Sequence, residues 1–162
     1  MHLLKNNRNG GSGIPKTEVE CFYNDDVLVF NFVAHDSSLT SYSNKNNDNI
    51  WKGNVVEVFL DVGNLDYYYE FEVAPNGTTF IAQKYKDKLV FVNNNFFSSK
   101  VEIKGNSYFV RMEIEVSKLT KTKELLFNAF RCEGDAIEAL SPTLCDTFHK
   151  RENFVLVNDF LK

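Results

Sequence analysis

Glu57 and Glu72 are the residues whose type and spacing point most directly to chemistry. They lie on two short alternating segments, Val55 to Val62 and Tyr67 to Ala74, joined by Gly63-Asn64-Leu65-Asp66. A hairpin that closes with Val62 opposite Tyr67 sets Glu57 directly across from Glu72. Like charges opposed on a sheet destabilise it by up to about 1 kcal/mol, so the pair calls for a third group. A cation, an arginine or a ligand rich in hydroxyl donors would serve. The plain alternative is two solvated glutamates on an open sheet face, and a bulge of one residue would remove the pairing altogether. The same geometry also fits the separation of about 5 Å between the acid and the nucleophile of a retaining glycosidase.

Aromatic residues flank this pair. Trp51 precedes the Glu57 segment, at the end of a polar run from Ser37 to Asn49, and Tyr68 shares the carboxylate face of the return segment. A flat ring beside acceptor oxygens suits a ligand with one apolar face and a rim of hydroxyls, as a pyranose has. A lone tryptophan is more often core than platform, and it is the position after a long polar loop that favours the platform.

The elements that must position these residues read as strands. Period-two alternation runs through Thr17 to Tyr23, Val27 to His35, Thr78 to Lys84, Leu89 to Val92, Ser98 to Lys104, Ser107 to Val116, Leu125 to Cys132 and Phe154 to Asn158. Turn signals separate them, and no window sustains a helical period. At most one short helical turn is expected, over Lys118 to Glu124 with Ser117 as its cap. Many short strands predict an all-β fold, an antiparallel β-sandwich of the jelly-roll or immunoglobulin-like two-sheet kind, with one face packed and the other partly wet. Residues 1–13 contain the polar and glycine-rich run Asn6 to Gly13 and are expected to be a flexible lead-in, leaving residues 14–162 as one domain.

Composition narrows the function classes. The 162 residues carry 18 Lys and Arg against 22 Asp and Glu, a formal charge of -4, which gives no general attraction to nucleic acid. No stretch of about 18 apolar residues is present, so no membrane span is expected. The first residues lack the apolar core of a secretory signal, so a cytoplasmic location is the default expectation, or an extracellular one if the chain is cut from a larger secreted protein. Cys21, Cys132 and Cys145 lack metal-binding spacing and read as reduced structural thiols. Met112 could ligate a haem from inside a sandwich, and is more simply a core residue. With 15 Phe and 7 Tyr but a single Trp, aromatic side chains supply much of the core, which makes the position of the Trp informative.

The run Asp48-Asn49-Ile50-Trp51-Lys52-Gly53-Asn54-Val55-Val56-Glu57-Val58-Phe59-Leu60-Asp61 resembles the signature of family 9 carbohydrate-binding modules. The resemblance continues through Tyr69-Glu70-Phe71-Glu72-Val73-Ala74-Pro75-Asn76-Gly77 and Phe127-Asn128-Ala129-Phe130-Arg131, then Ala139-Leu140-Ser141-Pro142-Thr143 and Phe148-His149-Lys150-Arg151-Glu152-Asn153-Phe154. It implies an antiparallel β-sandwich that binds carbohydrate without catalysis, in carbohydrate catabolism and often beside glycoside hydrolases such as xylanases. The implied ligand is a terminal sugar or short oligosaccharide of plant-polysaccharide type, such as xylan or cellulose, held between two Trp rings. By match, Trp51 and Glu57 take the first ring and the strand glutamate.

The second ring departs from the family pattern, because Phe148 stands where the sandwiching Trp is expected and Leu140 where another Trp is frequent. Phenylalanine stacks with less area and has no N–H donor. Glu72 is acidic where a basic or amide partner is expected. His149 could donate to a sugar hydroxyl or tie down its loop. Arg131 is a further candidate for the site, with Glu57 or Glu72 as its carboxylate partner. Structural calcium is compatible with the family, although no calcium-loop spacing is present. The remaining alternatives are a glycoside hydrolase using Glu57 and Glu72, and an interaction module whose sugar site has decayed.

Overall fold

Apolar residues at alternate positions force each strand to bury one side, and two antiparallel sheets pack face to face to satisfy them. The computed structural model describes residues 1–13, 16–35 and 37–162. One sheet has the order β1 (His2–Leu3), β3 (Thr17–Asn24), β4 (Val27–Ala34), β10 (Ser107–Glu115), β9 (Phe97–Lys104). The other runs β2 (Lys5–Asn6), β12 (Ala136–Ala139), β11 (Leu126–Glu133), β5 (Val55–Asp61), β6 (Tyr67–Val73), β7 (Thr79–Tyr85), β8 (Leu89–Phe91), with β13 (Val155–Leu156) also paired to β11. This is the all-β, two-sheet antiparallel sandwich that the alternation predicts.

The main core lies between the sheets. Leu28, Phe30, Phe32, Val110 and Met112 meet Val56, Val58, Leu60, Phe71, Phe127 and Ala129, all buried. The Phe30 and Phe127 rings bridge the two sheets with centroids 5.3 Å apart. Each such side chain contributes about 1.5–3 kcal/mol by leaving water, so the interior is held by area rather than by polar contacts. Met112 is fully buried among these residues as core material.

The expectation of one packed and one partly wet face holds for the first sheet, where β10 alternates between buried and half-buried positions. It fails for the second, where all seven residues of β5 are buried. The outer face of that sheet carries two apolar clusters of its own: Ile50, Val55, Ala74, Phe80, Ala82 and Cys132 in one, and Phe59, Tyr68, Phe130, Ala139 and Phe154 in the other. They are covered by the chain around Ile50 and by the segment after β12, which holds Phe148 and Phe154.

Three local expectations need correction. The N-terminal segment is not a loose lead-in: β1 pairs with β3, β2 pairs with β12, and Asn7 is fully buried. Its polar residues order the backbone instead of solvating it, since the Asn6 side-chain oxygen accepts from the N–H groups of Arg8 and Asn9. The expected boundary at Ile14 falls outside the described residues. The segment Phe154 to Asn158 forms only the two-residue β13 before a 3-10 turn over Val157–Asp159. The expected helical turn lies earlier, at Val116–Lys118, and further 3-10 turns occur at Ile50–Lys52 and Arg151–Asn153.

Candidate functional site

The β5–β6 hairpin has the predicted register, with Glu57 opposite Glu72 and Val56 opposite Val73. Alternation places Tyr68, Glu70 and Glu72 on one face of β6, the face that carries Glu57 on β5. Glu57, Glu70 and Glu72 each offer a carboxyl oxygen, and these three atoms lie within 4.8 Å of one another. The carboxyls are not solvated: their residues are 1%, 4% and 1% exposed. Among the described residues, no oxygen or nitrogen donor reaches either oxygen of Glu57, which has only the weak thiol donor of Cys132 beside it, and Oε2 of Glu70 and Oε2 of Glu72 are likewise without a partner.

Burial is the main reason that these groups hold their protons. It raises the Glu57 carboxyl to about 8, with Glu70 adding repulsion. Glu70 rises to about 7 through burial, moderated by a hydrogen bond from Glu72 and by the Lys84 charge. Glu72 is pushed well above the carboxylate range by burial and by both neighbouring carboxyls. Glu70 escaped the sequence reading as a site residue, yet its signal was present, because it lies two residues from Glu72 on the same strand face.

These carboxyls line a cavity of about 360 Å³ with Trp51, Lys84, Leu89, Phe148 and His149 around it. That volume lies within the range of about 300–1,000 Å³ usual for small-molecule sites. Trp51 is 39% exposed and makes an edge contact with Phe80 at 5.2 Å between centroids. Phe148 rests on Phe59 and Phe130, at 5.8 and 5.4 Å. His149 stacks on Phe59 at 4.9 Å, and its Nδ1 shares a 2.7 Å hydrogen bond with the Tyr68 hydroxyl. Its outer edge reaches solvent, while burial of the ring and then the Lys84 charge hold its pKa below the usual imidazole value. The histidine therefore ties down its loop and borders the cavity at once.

Specific contacts position each wall. Fully buried Ile50 anchors the turn that presents Trp51. Gly53 follows because a Cβ there would lie 2.7 Å from the backbone nitrogen of Tyr42 and 2.8 Å from the carbonyl oxygen of Thr40. The Asn-rich loop is held along β7: Asn46 and Asn47 side-chain oxygens accept from the N–H groups of Thr79 and Ile81, each at 3.0 Å. On the opposite wall, Asn128 donates to the Ser141 carbonyl at 2.7 Å. Arg151 bridges Asp61 at 2.5 Å and donates to the Leu65 carbonyl at 3.1 Å, fastening the Phe148 segment to the β5–β6 turn. Asn7 donates to Thr143 at 2.8 Å and to the Cys145 carbonyl at 3.1 Å, and accepts from the Thr143 N–H at 2.9 Å.

Arg131 lies elsewhere. Register places Phe130 opposite Glu57 and Arg131 opposite Val56, so Phe130 lies on the sheet face that carries Glu57 while the guanidinium points into the sandwich. There it donates to the His35 carbonyl at 2.9 Å and to Thr17 at 3.2 Å, and its ion-pair partner is Glu133 rather than Glu57 or Glu72. Leu140 packs against the main core. The acidic trio is a poor fit for structural calcium, because its surroundings are Cys132 and aromatic rings rather than the carbonyl and amide oxygens that complete six to eight ligands.

The chain is a two-sheet sandwich with a cavity on its outer face that is lined by aromatic rings and carboxyl oxygens. Comparison with known proteins gives the family. The profile of carbohydrate-binding family 9 matches residues 5–113, well over half of the chain, which therefore belongs to that family. An extracellular protein of Arthroderma benhamiae is 40% identical over 75 residues, which are 44% of this chain and 34% of that protein. The match thus spans about a third of that relative's length.

Among solved structures, a Bacteroides uniformis protein assigned to carbohydrate binding superposes with a TM-score of 0.77 at 17% identity, covering 88% of this chain and 77% of the other. A family 9 module from Caldicellulosiruptor kristjanssonii in complex with glucose gives 0.64 at 14% identity, covering 94% and 81%. The same organism's module in complex with cellotriose gives 0.56 at 13% identity, covering 90% and 72%. At these identities the structural likeness establishes the sandwich fold.

Proposed function

We propose that the protein binds a terminal sugar or the end of a short oligosaccharide, without catalysis, in the cavity bordered by Trp51 and Phe148. The observation that carries this reading is the lining of that cavity, which brings a partly exposed indole, a phenyl ring and carboxyl oxygens to one ligand-sized space. Aromatic faces take the C–H face of a pyranose, and the acceptors take its hydroxyl donors. Glucose and cellotriose in the related modules support a sugar of this size. Chain ends of cellulose and xylan are the first ligands to try, and an adjoining glycoside hydrolase is the natural partner.

The close spacing of Glu57 and Glu72 favours a hydrolase as the second reading, but their environments argue against it. A retaining enzyme needs one carboxylate ionised while the other keeps its proton. Here burial raises both carboxyls together, leaving no preformed nucleophile. Calorimetric titration with glucose, cello-oligosaccharides and xylo-oligosaccharides tests the binding reading: saturable heats are expected for the wild type and a loss of at least about tenfold for Trp51→Ala, since truncating an aromatic anchor at a binding site costs about 2 kcal/mol or more. Equal binding by Trp51→Ala would remove the site assignment. Turnover of aryl glycosides that disappears in Glu57→Gln would favour the hydrolase.

A further inference from the structure

We propose that this cavity selects a sugar carrying a free amino group, a protonated 2-amino-2-deoxyhexose at a chain end, over the neutral sugar of the same shape. The inference rests on the sugar-binding reading and names the substrate class of that site. Three carboxyls converge within 4.8 Å on the floor of the cavity. Glu57 is 1% exposed and lines the cavity, and among the described residues both its oxygens lack an oxygen or nitrogen donor, with only the weak Cys132 thiol beside them. A buried acceptor left unpaired costs about 1–3 kcal/mol, and more when charged, so the floor is built for a donor that arrives with the ligand.

The protein's own cations do not fill that role. Arg131 points to the other side of its sheet, and Arg151 pairs with Asp61. Lys84, on the cavity wall, lowers Glu70 through its charge, but its Nζ lies 3.5 Å from the Lys86 carbonyl and no ion pair joins it to the three glutamates among the described residues. The other titratable groups that face the floor are Tyr68 on β6, Cys132 on β11 and His149 from the C-terminal segment. Burial raises both the tyrosine and the cysteine, and the lowered imidazole is neutral at neutral pH, so none supplies a positive charge.

An ammonium brings three N–H donors and one positive charge in a volume close to that of a hydroxyl. Charge-assisted hydrogen bonds are roughly twice as strong as neutral ones, and a neutral hydroxyl cannot stabilise an ionised carboxyl in this setting to the same extent. Entry of the ammonium shifts the trio toward its ionised form, so a carboxyl proton leaves to solvent while the amine keeps its own. Binding of an amino sugar is therefore coupled to proton release, and binding of a neutral sugar is not.

The test is calorimetry of the whole chain at about pH 6.5, where a sugar amine remains protonated, with D-glucosamine, D-glucose and N-acetyl-D-glucosamine in two buffers of different ionisation enthalpy. Glucosamine is expected to bind about tenfold more tightly than either neutral sugar, with a heat that differs between the buffers. In Glu70→Gln the ratio of glucosamine to glucose affinity should fall toward unity, with folding checked by circular dichroism. Equal affinity for all three sugars, lost in Trp51→Ala, would overturn the amino-sugar inference while the sugar-binding reading stands. No binding of any sugar would overturn both. Saturable binding of calcium chloride alone, abolished in Glu70→Gln, would assign the trio to a metal ion and overturn the inference. The wild-type comparison decides the matter even if the variant fails to fold.

Discussion

Replacing Glu57 by glutamine should change how stability depends on pH, and the direction follows from the burial of its carboxyl. The folded chain holds the Glu57 proton up to about 8, against an ordinary value of 4.5. A group whose pKa is raised by folding stabilises the folded state fully below the unfolded value and loses that contribution as pH rises toward the folded value. Each pH unit inside the interval removes about 1.4 kcal/mol. His149, lowered in the folded chain, produces the opposite slope below the usual imidazole value of 6.5, so the informative window is from about pH 6.5 to 8.

In that window Glu57 alone should cost the wild type roughly 2 kcal/mol. Glutamine has the shape of the protonated acid and no proton to lose, so Glu57→Gln should lose less stability by about that amount. Glu138 and Glu70, each raised to about 7 by burial, titrate in both proteins, and removing the Glu57 charge relieves the push on Glu72, which flattens the variant's slope in the same direction. Urea midpoints measured at intervals of about half a pH unit give the slopes. A wild type whose stability rises with pH through this window, or a variant with an unchanged slope, would refute the claim that the carboxyl is buried in its protonated form.

Two further predictions separate the frame from the site. Arg131→Met should destabilise the fold by about 1–3 kcal/mol, because the Thr17 hydroxyl and the His35 carbonyl lose a buried donor and the half-buried Glu133 its cation, while sugar affinity of the folded protein stays unchanged; thermal melts and calorimetry read the two effects apart. Asn7→Ala leaves the Thr143 N–H without its acceptor and should cost about 1–3 kcal/mol. It should also weaken sugar binding by loosening the segment that carries Phe148, seen as faster hydrogen exchange around residues 143–149.

The ordering of that segment by the N-terminus explains one of the larger differences between expectation and structure. Asparagine and glycine near the chain start have the composition of a flexible tail. Asn7 instead fills a buried polar niche formed by Thr143 and Cys145, more than a hundred residues away in sequence. Composition carries no information about such a distant partner. The same limit explains Arg131: whether it joined the carboxylates depended on which side of β11 faces the sandwich. Phe127 and Ala129 share its alternation and are core residues, so the parity was legible, whereas the partner Glu133 was not.

Local pattern by itself determined the long strands, the antiparallel pairing of the β5–β6 hairpin and the opposition of Glu57 and Glu72, because side-chain alternation and turn geometry act over a few residues. It also singled out Trp51 after a polar loop, while the family resemblance pointed to Phe148 in a later segment. Only the tertiary structure decided that the second face of the sheet is covered, that Glu70 joins the pair, and that the two rings border one cavity. Those features depend on burial, and burial is set by segments distant in sequence closing over the same strands. Under that cover two glutamates that would be ordinary surface charges become protonated carboxyls with unpaired oxygens facing a ligand-sized space.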